Sequence, residues 1–590
     1  MAVDVGAVDR TKGSAPVAMR PTLAGLNHMV SAGHYLAAHA GFGVLEAGGN
    51  AVDAGVAAGI ALSVVQSDFV NFAGVAPILV YMADTGEVSS ISGLGWWPKA
   101  ASLGFFVKEF GGNIPVGILR TVVPAAPDAW ITALERFGTM SFAEVAASAI
   151  GFAESGFVMY PLMAEMIATN LAGYNRWESS RQVYLPNGAA PRVGDVFRQR
   201  DLANTIRYMA DEEKAHAHRG RSAGLCAARD AFYRGDIARR IVDYHQAHGG
   251  FLSMADFDSF SVEVEPAIRS SFHGTDLYAC GFWCQGPSLL QILNMLEHRD
   301  LKALGHNTPD YIHLLVETTK LAFADREAYY GDPRHLDVPA AALLSKDYAK
   351  RRVALVDDRS AVTGLAPAGD VPDGPRPPQI PPEIKGTVLG TGTDPRIDTS
   401  FVCVVDRHGN AFAATPSDAS NNTPVIPGTG LCPSSRGCQS WARPGHPAAV
   451  APLRRPRLTP NPAIAIRPGR FVMPFGTPGG DVQSQAMLQV FLNIDLFGMD
   501  MQQAVEAPRF ATYSFPSSFE PHTVEINRLV LEDLIPAQTG DVLAEKGHEV
   551  QWWRDRNWRA GGVCTVRLDV DSGIRRAAAD PRRPSYALGY

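Results

Sequence analysis

Three things are scarce in this 590-residue chain: long apolar runs, surplus positive charge and ordered cysteine spacing. The most apolar helical stretch, residues 52–65, contains Asp53 and falls short of the roughly 20 apolar residues that cross a bilayer. Residues 1–20 hold Asp4, Asp9, Arg10 and Lys12 and lack the apolar centre of a secretory signal, so the expected location is the cytoplasm. Seven cysteines, an odd number without regular spacing, fit a reducing compartment better than a disulfide framework. A net charge of −7 offers nucleic acid no general attraction. The cluster Arg454-Arg455-Pro456-Arg457 is short and broken by proline, and reads either as a local anion contact or as a solvated face.

Cofactor motifs are equally thin. His34 and His39 are five apart, off the i, i+4 face of a zinc-binding helix. Cys280 and Cys284 have no second pair to complete a tetrahedral site and read as buried thiols. Gly41-Phe42-Gly43 lacks the third glycine of a dinucleotide fingerprint. Gly220-Arg221-Ser222-Ala223-Gly224 has the spelling of a serine nucleophile elbow, but His216-Ala217-His218-Arg219 replaces the apolar strand that must precede one. No metal, organic cofactor, nucleic acid or membrane is indicated.

What the chain does have is a core-sized apolar content, 46% hydrophobic residues. Length alone suggests about three or four domains. Apolar helical patterns fill the first half, and short strands with glycine-rich turns fill the second. Residues 168–230 read as a looser surface excursion. Residues 366–398, dense in proline and glycine, read as a flexible tail. The tail stops at Thr399, which opens the strand pattern Thr399-Ser400-Phe401-Val402-Cys403-Val404-Val405-Asp406. A tight turn at Arg407-His408-Gly409-Asn410 returns the chain as Ala411-Phe412-Ala413-Ala414-Thr415.

A threonine hydroxyl is a poor nucleophile at neutral pH and needs a base. Cutting the Asp398–Thr399 bond would create one on the same residue, an α-amine with a reference pKa of about 7.7–8.0. A strand that merely begins with threonine is the plain alternative, and the local pattern leaves both readings open.

Several separated blocks resemble the γ-glutamyltranspeptidase family, in the family's order. They are Glu46-Ala47-Gly48-Gly49-Asn50-Ala51-Val52-Asp53-Ala54, then Leu321-Ala322-Phe323-Ala324-Asp325-Arg326 with Gly331-Asp332-Pro333. Thr399 with Val404-Val405-Asp406 and Gly409-Asn410-Ala411 comes next, followed by Pro478-Gly479-Gly480, Glu506-Ala507-Pro508-Arg509-Phe510 and Asp580-Pro581-Arg582. The resemblance spans roughly residue 29 to the end. It implies an α+β fold, the four-layer αββα sandwich of N-terminal nucleophile hydrolases. After an N-terminal extension (1–28), it implies self-cleavage before Thr399 into a large chain (29–398) and a small chain (399–590) that stay together as one integrated domain. It also implies Thr399 as nucleophile, Gly479 and Gly480 as oxyanion donors and Ser417 as a supporting hydroxyl.

The substrate pocket departs from the family pattern. Ser92-Gly93-Leu94-Gly95-Trp96-Trp97-Pro98 lacks the arginine that holds a glutamate α-carboxylate, and residues 434–441 lack the acidic residue that holds its α-amino group. A serine pair is reduced to Leu458-Thr459. Trp96, Trp97, Arg436, Gln439 and Thr459 are the candidate substrate contacts, an aromatic, apolar and cationic lining. The expected activity is an amide hydrolase or acyltransferase acting on a small-molecule amide with a non-glutamyl acyl group. A true glutathione hydrolase or γ-glutamyltransferase, and an uncleaved scaffold, are the alternatives. The assembly of the processed unit, homo-oligomer included, stays open.

Overall fold

A computed structural model of the protein describes residues 18–371 and 398–590. The rest of the proline-rich tail and residues 1–17 lie outside the described residues.

Two seven-stranded sheets form the centre. The first runs Tyr586–Gly589, Met29–Ala32, Val402–Val405, Ala411–Ala414, Ile78–Met82, Glu87–Ile91, Val264–Pro266. The second runs Leu23–Gly25, Arg575–Ala579, Cys564–Asp569, Phe471–Gly476, Ala463–Arg467, Thr275–Ala279, Ile268–Phe272. Adjacent strands are antiparallel; Val402 faces Ala414 on one side and Ala32 on the other.

The period-2 alternation of the Thr399 strand decides its two faces. Cys403 and Val405 point inward and pack with Val472, Cys564, Val566 and Ala577 of the second sheet. Val402 and Val404 point outward into the core beneath the helices Tyr35–Glu46 and Ala51–Val65. That contact is tight: a Cβ on Gly55 would sit 2.1 Å from the Phe412 ring. On the far side, Phe475 and Met473 pack under Gly286–Leu296, Pro309–Tyr329 and Gln483–Asp495. The order is helix, sheet, sheet, helix, the expected αββα sandwich.

The sequence blocks are its joints. Asn50 caps the helix Ala51–Val65 in a capping box with Asp53, which also accepts hydrogen bonds from Thr139. Asp406 accepts from Ala51 N–H at 2.9 Å and from Asn410 N–H at 3.0 Å, tying the hairpin that follows Thr399 to that helix. Gly409 turns the hairpin at φ 85°.

The expectation of a loose excursion at residues 168–230 is corrected. Arg200–His216 is a 17-residue helix and Arg221–Tyr233 another of 13. Leu202, Ile206 and Met209 recur at helical spacing and are buried; in the polar run that follows, Asp211 and Lys214 face solvent while Glu213 is buried and accepts from the Phe142 and Ala143 N–H groups.

Candidate active site

Thr399 sits at the entry to the strand Val402–Val405, paired across a single bridge with Ser417. Both are buried. Thr399 Oγ1 and Ser417 Oγ are 2.8 Å apart, and Ser417 Oγ donates to the Asp398 carbonyl at 2.8 Å. Arg436 Nη2 also donates to Ser417 Oγ. A hydroxyl has one proton and two lone pairs, and a guanidinium can only donate. With its proton on the Asp398 carbonyl, Ser417 must accept from Arg436 and from Thr399. The hydroxyl of Thr399 therefore points its proton at Ser417 and a lone pair elsewhere.

Asp398 frames the same bond. Its Oδ1 accepts from Thr399 N–H at 2.9 Å, and its Oδ2 accepts from Arg583 at 2.6 Å. Asp68, in the turn that follows the helix Ala51–Val65, is a third buried charge here; burial pushes its carboxyl up to about 7, with the neighbouring Asp398 adding to the rise.

The glycine pair arrives from the second sheet. Phe471–Gly476 crosses Phe401, where a Cβ on Gly476 would strike the ring at 2.3 Å. The chain then turns through Gly479 (φ 126°) and Gly480 (φ 56°), conformations that disfavour a side chain, and enters the helix Gln483–Asp495. Gln285 donates to the Gly480 carbonyl at 2.8 Å, and Asp481 is held by Arg326 and by Ser518 at 2.6 Å. The loop thus lies at the end of the sandwich where Thr399 begins its strand, with its peptide groups fixed by buried partners.

The expected substrate contacts divide. Arg436 is fully buried, touches Ser417, and lies 3.4 Å from Gln439 Oε1 and 3.7 Å from Asp418. Gln439 donates to Thr459 Oγ1 at 2.9 Å, so these three form one polar wall. Trp97 backs that wall, its indole N–H on Ser440 Oγ at 2.9 Å. Trp96 faces away, against Phe260 and beneath Arg334, and does not join them. Arg455 is paired with Asp332 and Arg457 with Glu327, so the 454–457 cluster is mostly buried ion pairing rather than a solvated face. The elbow-like Ser222 lies on an exposed helix face bonded to Glu135. His34 caps the helix Tyr35–Glu46, and all seven cysteines are free.

Sequence reading missed four residues. Asp418, at φ 140°, binds Ser434 and Ser435 and orients the Arg436 turn. Its place directly after Ser417 was the available signal. Gln285, Asp68 and Arg583 come from distant segments and gave none.

The described residues contain one group able to gather around a metal, His313, Glu317 and His548. Its donors already satisfy one another or protein partners: His313 to His548 at 2.9 Å, and Glu317 to Lys320 at 2.7 Å. No described helix is long and apolar enough to cross a membrane.

The Acylase ACY 1 proenzyme of Pseudomonas sp. (strain SE83) is 31% identical over 569 residues, covering 94% of this chain and 92% of its own. The glutathione hydrolase proenzyme of Bacillus subtilis (strain 168) is 29% identical over 576 residues, covering 96% and 92%. Among solved structures, LmbA2991HD superimposes with a TM-score of 0.90 at 36% identity, covering 97% of this chain and all of its own. The γ-glutamyltranspeptidase family model matches residues 37–590. The chain is a member of the γ-glutamyltranspeptidase family, with the fold of N-terminal nucleophile hydrolases.

Proposed function

We propose that the chain cuts itself at Asp398–Thr399 and then hydrolyses a small-molecule amide through an acyl-enzyme on Thr399, with an acyl group that lacks the glutamyl α-ammonium. The observation that carries this is the hydrogen-bonded run Thr399 Oγ1, Ser417 Oγ, Asp398 carbonyl, each step 2.8 Å.

In self-cleavage, Thr399 Oγ1 bonds to the Asp398 carbonyl carbon. Its proton passes to Ser417 Oγ as the Ser417 proton moves to the carbonyl oxygen, so no full charge builds up in the buried site. The C–N bond then breaks as the carbonyl re-forms, the proton on that oxygen passing to the nitrogen, which leaves as the Thr399 amine, and water hydrolyses the ester to free the Asp398 carboxylate and restore the Thr399 hydroxyl. In turnover the amine takes the Thr399 proton and returns it to the leaving amine. Gly479 and Gly480 N–H groups stabilise the oxyanion. A second water releases the acyl group.

The specificity argument rests on which charges are already engaged. Arg120 lies in the large-chain segment after the tryptophans, but it donates to the Ile114 and Pro115 carbonyls and to Asn422. Asp418, the acidic residue next to Ser417, has both oxygens on Ser434 and Ser435. Burial pushes Glu520 up to about 7, a poor partner for a substrate ammonium. Arg436, paired with Asp418 at 3.7 Å and donating to Ser417, brings guanidinium N–H groups beside the nucleophile, which suits a carboxylated acyl chain better than an ammonium. The acylase relative favours this reading, and the glutathione hydrolase relative keeps γ-glutamyl substrates as the second one.

The test is intact-mass analysis of wild type beside Thr399→Ala, followed by an amide panel. Two wild-type fragments meeting at 398/399 and one uncut mutant chain are expected; a wild type that stays whole after long incubation would favour a scaffold. On the processed enzyme, Arg436→Met is expected to raise KM about tenfold for carboxylated acyl amides relative to neutral ones, the loss of one charge-assisted contact. Rapid glutamate release from glutathione would overturn the acyl assignment.

A further inference from the structure

Three ionisable side chains meet behind the Asp398–Thr399 bond, and they are unevenly matched. Arg583 Nη2 serves Asp398 and the Trp558 carbonyl, while its Nη1 is buried without a partner. Asp68 is 3% exposed, and neither of its oxygens has a side-chain hydrogen-bond partner; its own and the Phe69 backbone N–H groups ease its charge. It feels the charges of both Asp398 and Arg583. The backbone holds it there: the Phe69 carbonyl accepts from Asp418 N–H at 2.9 Å, and the Arg583 guanidinium lies 5.7 Å over the Phe69 ring.

The neighbouring phenols and imidazole offer Asp68 no charge. Tyr160 donates to the Val65 carbonyl, Tyr184 to the Ser67 carbonyl, and Tyr174 shares a hydrogen bond with Ser420. Burial raises all three phenols, so they stay neutral. His34, against Tyr160, is pushed down to about 3 by burial and is neutral as well. An unmatched buried carboxylate is costly, and a half-served guanidinium lies beside it.

We propose that Asp68 is a positioning residue that takes over Arg583 from Asp398 once the chain is cut. The inference rests on the self-cleavage reading above. Cleavage gives Asp398 a second carboxylate in a pocket that already holds Asp68, and repulsion among these anions drives Asp398 out. The guanidinium then turns its free nitrogen to Asp68. The pair left behind is neutral, and the new Thr399 amine sits beside a matched cation instead of a bare one.

The experiment is the pH dependence of kcat/KM for processed wild type, Asp68→Asn, Arg583→Gln and the double variant, with cleavage checked by intact mass. Asp68→Asn leaves Arg583 unmatched beside the amine, which disfavours its ammonium form. The acid limb is expected to move to lower pH by about one unit, the usual scale for one nearby charge. Arg583→Gln moves it the other way, and the double variant, with neither charge, returns it near the wild-type position. The double variant compared with Arg583→Gln keeps the test available if Asp68→Asn does not fold.

A limb unmoved in fully processed Asp68→Asn overturns the hand-over, even if activity falls at every pH. So does an unmoved limb with raised KM for ammonium-bearing amides, which would make Asp68 a substrate contact. A wild type that never cuts overturns the parent reading and this one with it.

Discussion

At the scale of single residues, hydrogen-bond direction separates Thr399 from Ser417: Thr399 Oγ1 donates to Ser417 Oγ, and Ser417 Oγ donates to the Asp398 carbonyl. Ser417→Ala removes the serving hydroxyl, and self-cleavage is expected to slow about 100- to 1000-fold, the scale of losing one oxyanion donor. Timed gels of freshly made protein measure it. Asp68 gives a second residue-scale prediction, in the uncut Thr399→Ala chain. Its folded carboxyl, at about 7, lies above the unfolded value, so the folded state holds its proton over a pH range where the unfolded state has lost it. Stability is therefore expected to fall as pH rises from about 4 to about 7, and Asp68→Asn to flatten that slope. Thermal melts across the range decide it. The strand entered by Thr399 was legible because its β-branched run follows a proline-rich stretch. Asp68 was not, because its chemistry comes from partners more than three hundred residues away, Asp398 and Arg583.

At the scale of elements, the helix Pro309–Tyr329 carries Asp325, Arg326 and Glu327 in succession, all buried. Arg326 reaches Asp481, which follows the glycine turn at 479–480, and Glu327 bonds Arg457 at 2.7 Å. Burial alone would raise the Glu327 carboxyl, but Arg457 and Arg326 outweigh it and hold it far below the usual carboxylate range. A depressed folded value stabilises the protein above the unfolded value of about 4.3 and is lost as pH falls through the folded one. Glu327→Gln leaves two guanidiniums under-matched in the core and is expected to cost about 3–5 kcal/mol, read by urea unfolding at neutral pH. The block around Leu321-Ala322-Phe323-Ala324-Asp325-Arg326 was visible in the sequence, but its partners were not. Residues 168–230 show the reverse failure: polar composition hid two amphipathic helices whose apolar residues recur at helical spacing.

At the scale of the whole molecule, both sheets are built from strands on either side of residue 399. Met29–Ala32 lies between Tyr586–Gly589 and Val402–Val405, and Thr275–Ala279 pairs with Ala463–Arg467. Two fragments made by cleavage would share continuous hydrogen-bonded sheets and one interior. They are expected to co-elute at neutral pH and to separate only in denaturant, which size-exclusion chromatography followed by mass analysis checks. The amino-acid sequence by itself determined the strand and helix pattern outside residues 168–230, the hairpin after Thr399, the apolar helix around residues 52–65 and the glycine turn at 479–480. Each of those follows from spacing, turn chemistry or φ preference within a few neighbouring residues. Only the tertiary structure decided that Arg436 meets Ser417, that Arg455 and Arg457 are paired and buried, that Trp96 faces away from the wall, and that Asp68 stands beside Arg583. Charge pairing and burial depend on which distant segments the sandwich stacks together, and no local pattern carries that distance.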